Sequence, residues 1–414
     1  MKKKLLALGI LSSVCLCAAP TIKQKIEALH NLPALETFQE DILNVYPSNG
    51  QTVTIVKDVV SDYVKAMREI APENDYYFND QAGIGVTIED YWQWNVNYQK
   101  SKNISLVWDA KDLNISEYTL KLSTNSDLSN AKVYTTTNNY YTVNNLFAAT
   151  TYYWQVKSSD NTHSSIISSF TTEEAPRMLS TGDVHNVRDI GGWMTSSGKR
   201  IKQGLIYRGA EANPETYEIP NDKGEMDYHG KNLTESNLAI FRNDLGIKME
   251  LDFRGATESN NRTESVFGSD VKYERRSISA YHYPLQHSST KNLYREVFEI
   301  LANADQEPVY FHCWGGADRT GTIGFLLNGL LGASYTDLII DYEITSFAMN
   351  FCTQEDIPDN GRYFTTMVNE LKQAYCYTGN ETISECIENF LKDYLEVSSA
   401  TIQALKTKLL VEEA

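Results

Sequence analysis

The spacing of apolar residues changes character twice along the chain. Between residues 20 and 95, "IKQKIEALHNL" and "VTIVKDVVSDYVKAMREI" repeat every three to four positions, with Val56, Val59, Val60, Tyr63 and Met67 falling on one face. This spacing predicts a partly helical segment. From residue 96 to 174 the period falls to two. "ISLVWDA", "SEYTLKLST", "AKVYTTT", "YYTVNNL", "TYYWQVKSS" and "SSIISSFTT" are short, rich in β-branched and aromatic residues, and separated by Asn, Ser and Asp. Evenly spaced strands of this kind predict an all-β sandwich. After the linker-like "EEAPRMLSTGD", the stretch from Met178 to 414 mixes both periods. In "LTESNLAIFRNDLG", Thr234 is placed to cap a helix, Leu238, Phe241 and Leu245 share its apolar face, and Gly246 ends it. "IKMELDFR" and "PVYFHC" read as strands and "TGTIGFLLNGLLG" as a helix. The alternation predicts an α/β domain, a central sheet flanked by helices. This domain is expected to carry the chemistry without the sandwich.

Composition adds limits. With 414 residues, 42% hydrophobic and 22% charged, the chain has material for two or three globular domains. A formal net charge of −17 argues against nucleic acid as a partner. It also means that any anion site must be local, with the overall repulsion screened over roughly 8 Å at physiological salt. Residues 1–19 have the layout of a secretory signal peptide: three lysines, an apolar run from Leu5 to Val14, then small residues. No later run is long and apolar enough to be a transmembrane helix. The expected location is therefore secreted or cell-surface. Cys15 and Cys17 invite a lipoprotein tether, but neither follows a good lipobox. Cys313, Cys352, Cys376 and Cys386 remain, without zinc-ligand spacing, and an oxidising compartment would allow two of the last three to pair or leave all of them free.

The densest chemistry lies in "HCWGGADRTG", residues 312–321, between a predicted strand and a predicted helix. A helix N-terminus offers unpaired N–H groups and partial positive charge. Gly315 and Gly316 allow the backbone, from Trp314 to Ala317, to curl so that successive N–H groups converge on a tetrahedral oxyanion. Arg319 supplies a planar fork for two phosphate oxygens. Cys313 lies at the base of this cradle, where a thiolate is favoured. Attack on a bound phosphate would give a phosphocysteine that water then hydrolyses. The cradle and Arg319 do what a divalent ion does elsewhere, so neither metal nor cofactor is expected.

The stretch resembles the signature of the protein tyrosine phosphatase superfamily: His-Cys, five residues, Arg, then Ser or Thr. It is more similar to the bacterial tyrosine/lipid phosphatases whose loop reads HCxxGxDRTG. "NVRDIGGW" (186–193), "GLIYRGA" (204–210), "LDFRGATE" (251–258) and "DYEITS" (341–346) resemble further motifs of that family. The resemblance spans about residues 178 to 350. It implies Cys313 as nucleophile, Arg319 as phosphate clamp, Thr320 as hydrogen-bond donor to the sulfur, and His312 as the residue that orients the loop. The general acid it implies is Asp318 or Asp252, with Asp318 favoured. Arg254 is implied as substrate-facing and Arg188 as supporting. Relatives often carry Lys before the loop Asp, where this chain has Ala317, which favours phosphotyrosine or a simple monoester over multiply phosphorylated substrates.

In the sandwich, Leu146, Thr150 and Tyr152 resemble the tyrosine corner of fibronectin type III domains, and Trp108 resembles their core tryptophan. Such a module is expected to act as a spacer or to bind a surface ligand. The expected function is a Cys-dependent phosphatase acting on a phosphorylated protein or a small phosphomonoester, most simply phosphotyrosine. Two alternatives are an inositol phosphate or phosphoinositide phosphatase of the same chemistry, and an exported binding protein with an inert phosphatase fold.

Overall fold

The computed structural model describes residues 41–70, 88–91, 98, 100–111, 113–213, 215–220, 226–229, 233–281, 288–303, 307–348 and 356–412. The predicted leader lies outside these residues. Among those described, no helix is long and apolar enough to cross a membrane.

The described chain divides into two units. One takes in the described part of Met1–Gln51, with Ser105–Val143 and Thr151–Thr171. It is built from antiparallel strands. Ile104–Asp109 lies between Leu43–Tyr46 and Tyr140–Val143, and a second sheet sets Ser168–Thr172, Thr151–Ser158, Tyr118–Ser123 and Lys132–Thr136 side by side. All six stretches with period-two spacing form strands. Thr151–Ser158 shows the cause most plainly, since its residues alternate between partly exposed and buried along the whole strand. Trp108 and Trp154 are fully buried, and Tyr152 stacks on Phe170 at 5.5 Å.

The second unit takes in the described parts of Thr52–Ile104, Asn144–Thr150 and Thr172–Ala414. Its central sheet runs in the order Lys272–Arg275, Met249–Asp252, Val309–His312, Ile206–Gly209, Arg188–Asp189. The first four strands are parallel and the last is antiparallel. Every residue of Val309–His312 is buried, as expected of a parallel strand covered on both faces. Asp252 and Gly209 stand in register with His312, so the carboxyl ends of three adjacent strands finish at one level. Ligand sites of open α/β sheets lie at this edge. Here the chain turns from His312 through a five-residue loop into the helix Asp318–Leu330, which is buried from Thr320 to Leu330.

Local signals account for other elements. Thr234 caps the helix Glu235–Ala239, accepting from the Asn237 amide, while the Asn237 side chain reaches back to the Thr234 N–H. Leu238, Phe241 and Leu245 are buried, and Gly246 ends the turn at φ +65°.

Between residues 20 and 95 the described stretches hold both strands and a helix, and contacts of the second unit reach back before Met178. Leu43–Tyr46 and Gln51–Val53 are strands, too short to show a period by themselves. Asp58–Ile70 is a helix, and its buried Val60, Tyr63 and Met67 join the apolar core of the second unit. Arg68 donates to Asp337 at 2.9 and 3.0 Å, and Tyr63 donates to the buried Glu343. Arg177 pairs with Asp189 at 2.6 Å and donates to the carbonyls of Leu146 and Asn145. A chain begun at Met178 would lack these contacts. Cys376 and Cys386 form a disulfide, and Cys352 lies outside the described residues.

Candidate active site

The loop from Cys313 to Ala317 is held by its carbonyls. The Trp314 carbonyl accepts from the Glu211 amide at 2.9 Å, and the Gly316 carbonyl accepts from Asn186 Nδ2 and Arg208 Nη2, both at 3.0 Å. Gly315 is reached more weakly by Asn186, at 3.4 Å, and the Cys313 carbonyl faces His312 Nδ1 at 3.0 Å. In a planar trans peptide the next N–H points opposite to the carbonyl. Four carbonyls turned toward the scaffold therefore turn the amides of Trp314, Gly315, Gly316 and Ala317 away from it. The helix that follows has no side-chain cap, so its first N–H groups add to the same donor array.

Two glycines make this shape accessible. Gly316 sits at φ +72°, and a Cβ there would run into the backbone of Gly209. Gly324, one turn along the helix, lets the Arg208 guanidinium lie where a Cβ would otherwise collide with it. Arg208 is fully buried and bonded to Asp341 at 2.7 Å. Burial, and then the neighbouring Arg188 charge, lower its pKa to about 10. Arg188 shares Asp341, at 2.8 Å, and also donates to Asn186.

Cys313 is buried at the base of the loop and is the free cysteine among the described residues. Arg319 is only partly buried. Its Nη1 and Nη2 bind the two oxygens of Glu258 at 2.7 and 2.5 Å. That grip uses the end of the guanidinium and leaves its Nε–Nη2 edge directed elsewhere, the edge that can receive two oxygens of one anion. Burial opposes the Arg319 charge, but Glu258, the Cys313 sulfur and Asp318 outweigh it, and its pKa is raised. Thr320 is fully buried, but its hydroxyl has no hydrogen-bond partner, so the expected bond to the Cys313 sulfur is not made in this arrangement. An orphaned buried hydroxyl costs about 1–3 kcal/mol.

The two candidate acids lie in opposite surroundings. Asp318 is the first residue of the helix, partly exposed, and accepts from the Tyr281 hydroxyl. Asp252 is fully buried and accepts from Arg254 Nε at 2.9 Å, Arg254 Nη2 at 2.7 Å and Tyr273 Oη at 2.9 Å. Burial alone would raise its pKa, but His312 and Arg254 overcome this and hold it well below the usual carboxylate range. Such a group has no proton to give near neutral pH. Arg254 is not substrate-facing as expected. It is fully buried and bound to Asp252, Glu211 and the Tyr217 hydroxyl, so its donors serve the scaffold. The His312 ring is set between the Cys313 carbonyl and Glu250, the latter at 3.1 Å.

Sequence reasoning missed several contributors. Asn186, Arg208, Glu258 and Asp341 sit inside stretches singled out for their motifs and Glu250 in the predicted strand just before one, yet only the structure shows what each touches. Glu211 and Tyr281 carried no signal. Among the described residues, no cluster of three or more His, Cys, Asp or Glu side chains is arranged to hold a metal ion.

The Cupriavidus necator protein named "Putative tyrosine-protein phosphatase H16_A0669" is 24% identical over 259 residues, 54% of this chain and 86% of its own length. A Nostoc commune protein named "Tyrosine-protein phosphatase" is 28% identical over 123 residues, 25% of this chain and 41% of its own length. The solved catalytic domain of the PP-IP phosphatase SIW14 from S. cerevisiae aligns with 42% of this chain and 94% of its own, at 16% identity and a TM-score of 0.24. Residues 179–411, which hold the loop, its carbonyl anchors and both carboxylates, match the profile of the Tyrosine phosphatase family, and the chain belongs to that family.

Proposed function

We propose that this chain is an exported, Cys-dependent phosphatase that hydrolyses phosphotyrosine through a phosphocysteine. The observation that carries the reading is the outward anchoring of four successive loop carbonyls above a buried cysteine, at the open N-terminus of a buried helix. In the first step the Cys313 sulfur attacks phosphorus, the bond to the tyrosyl oxygen breaks, and that oxygen takes a proton from Asp318. In the second step Asp318, now a carboxylate, takes a proton from water as the water oxygen attacks phosphorus and the sulfur leaves. The loop amides and the Nε–Nη2 edge of Arg319 hold the three phosphoryl oxygens through both steps. Glu258 fixes that edge, and Asp252 with Arg254 braces the strand end beneath it.

Ala317, in place of a cation, supports a singly phosphorylated substrate. The lysine-led apolar leader supports export, and the Cys376–Cys386 bond fits an oxidising compartment. The strand-built unit, with Trp108 buried and Tyr152 stacked on Phe170, supports a fibronectin-like accessory module that binds a surface partner.

The test is phosphate release in EDTA from a phosphotyrosine peptide, a phosphoinositide and a soluble inositol phosphate. Turnover is expected with all metal chelated and fastest on the peptide. Activity lost in EDTA and restored by a divalent ion would contradict the mechanism. Preference for an inositol phosphate would overturn the substrate assignment alone.

A further inference from the structure

Tyr281 lies far from the phosphate loop in sequence and in no motif, yet two of its hydrogen bonds tie it to the start of the loop's helix. Its hydroxyl donates to Asp318 Oδ1. Its backbone N–H donates to Thr322 Oγ1 at 2.8 Å, and that hydroxyl donates to the Asp318 carbonyl at 2.9 Å. Tyr281 therefore holds Asp318 through both side chain and backbone. It does so from a left-handed conformation, φ +55°, which a bulky residue adopts only when its surroundings demand it. Its ring is buried edge-on against Tyr342, whose hydroxyl lies 3.2 Å from its own, and Tyr342 in turn stacks on Phe364 at 4.1 Å. An aromatic wall thus fixes the direction from which the Tyr281 hydroxyl approaches the carboxyl.

Asp318 is the first residue of its helix, where a carboxylate is attracted by the positive end of the helix dipole. The Tyr281 hydroxyl offers Oδ1 a specific partner. We propose that Tyr281 is a positioning residue for proton transfer: it engages Asp318 Oδ1 and so presents Oδ2 to the leaving oxygen of the substrate. When Oδ2 gives its proton to that oxygen, the carboxylate that forms is already bonded at Oδ1. The same bond holds the carboxylate in place while Oδ2 takes a proton from the attacking water in the second step. Burial first, then the neighbouring Tyr342 and Asp318, raise the Tyr281 pKa well above the ordinary phenol value, so its hydroxyl stays protonated and keeps its donor role.

This inference rests on Asp318 as the proton donor. The experiment separates the two claims. kcat and KM are measured on an alkyl phosphate and on an activated aryl phosphate for wild type, Tyr281→Phe, Asp318→Asn and the double variant, with folding checked by circular dichroism. Phe keeps the ring and loses only the hydroxyl. Tyr281→Phe is expected to lower kcat on the alkyl phosphate about tenfold, the scale of one hydrogen bond to a charged group, and to leave KM and the aryl phosphate within about threefold. In the Asp318→Asn background it should cost nothing further. Equal losses on both substrates, or losses additive with Asp318→Asn, would overturn the positioning role. An Asp318→Asn variant that slows both substrates alike would overturn the proton donor itself. If Tyr281→Phe fails to fold, Tyr342→Phe carries the same test. A loss confined to the alkyl phosphate supports the proposal, and a uniform loss or none overturns it.

Discussion

Asp318 and Asp252 are the same chemical group on opposite sides of one loop. Asp318 stands at the start of the helix, partly exposed and bonded to a neutral phenol. Asp252 stands at the end of the neighbouring strand, wholly buried and gripped on both oxygens by a guanidinium, with a second phenol also donating to Oδ2. The difference teaches how a fold divides labour between identical side chains. A carboxyl that must exchange a proton needs access to substrate and a partner that does not fix its charge. One that must hold a strand end in place needs the reverse. Removing one partner from a buried ion pair strands the other, which makes such a pair a strong brace and a poor acid.

The largest expected effect follows from that brace. Asp252→Asn should lower stability by about 3–5 kcal/mol, because Arg254 keeps its charge in a fully buried site. The sign with pH follows from the lowered pKa. Asp252 contributes stability above its unfolded pKa of about 3.9, and that contribution is lost as pH falls toward the folded value. Denaturant melts between pH 7 and 3 should therefore show a steeper acid loss in wild type than in Asp252→Asn. Parallel curves would break the contrast, since Asp252 would then be no more tightly held than Asp318.

A smaller effect sharpens the comparison with a third carboxyl. Glu343 is buried beside Tyr63, with no cation bonded to it among the described residues, and burial raises its pKa to about 8. It shows what burial does to a carboxyl without an Arg254. Between its unfolded pKa of about 4.3 and pH 8, the unfolded chain has shed a proton that the native chain keeps, so stability falls as pH rises, by up to about 1.4 kcal/mol per unit. Above pH 8 the slope ends. Glu343→Gln should flatten the decline between pH 5 and 8 in a series of thermal melts, whereas an unchanged slope would show that Glu343 is ionised in the fold.

Much of this was legible in the sequence where the signal is local. Period two along "TYYWQVKSS", the Thr234 cap and the strand–loop–helix order around Cys313 each depend on neighbours within a few residues. The nucleophile and the clamp were legible because one short stretch carries both. What stayed hidden depends on partners far along the chain. Arg254 reads as a substrate ligand until Glu211, 43 residues away, is seen to occupy it. The helix Asp58–Ile70 showed an apolar face, but nothing in its spacing says that the face belongs to the phosphatase core. Tyr281 shows neither period nor motif, and only the fold brings its hydroxyl to Asp318.

The division between the two carboxylates is tested most directly by one comparison of leaving groups. kcat/KM is measured for Asp318→Asn and Asp252→Asn on an alkyl phosphate and on an activated aryl phosphate, with Cys313→Ser as the control that should not turn over. A general acid matters most when the leaving oxygen is a poor one. Asp318→Asn should therefore slow the alkyl phosphate by about 10²–10⁴-fold and the aryl phosphate far less, while Asp252→Asn slows both to the same degree. Leaving-group dependence in Asp252→Asn and none in Asp318→Asn would contradict the account.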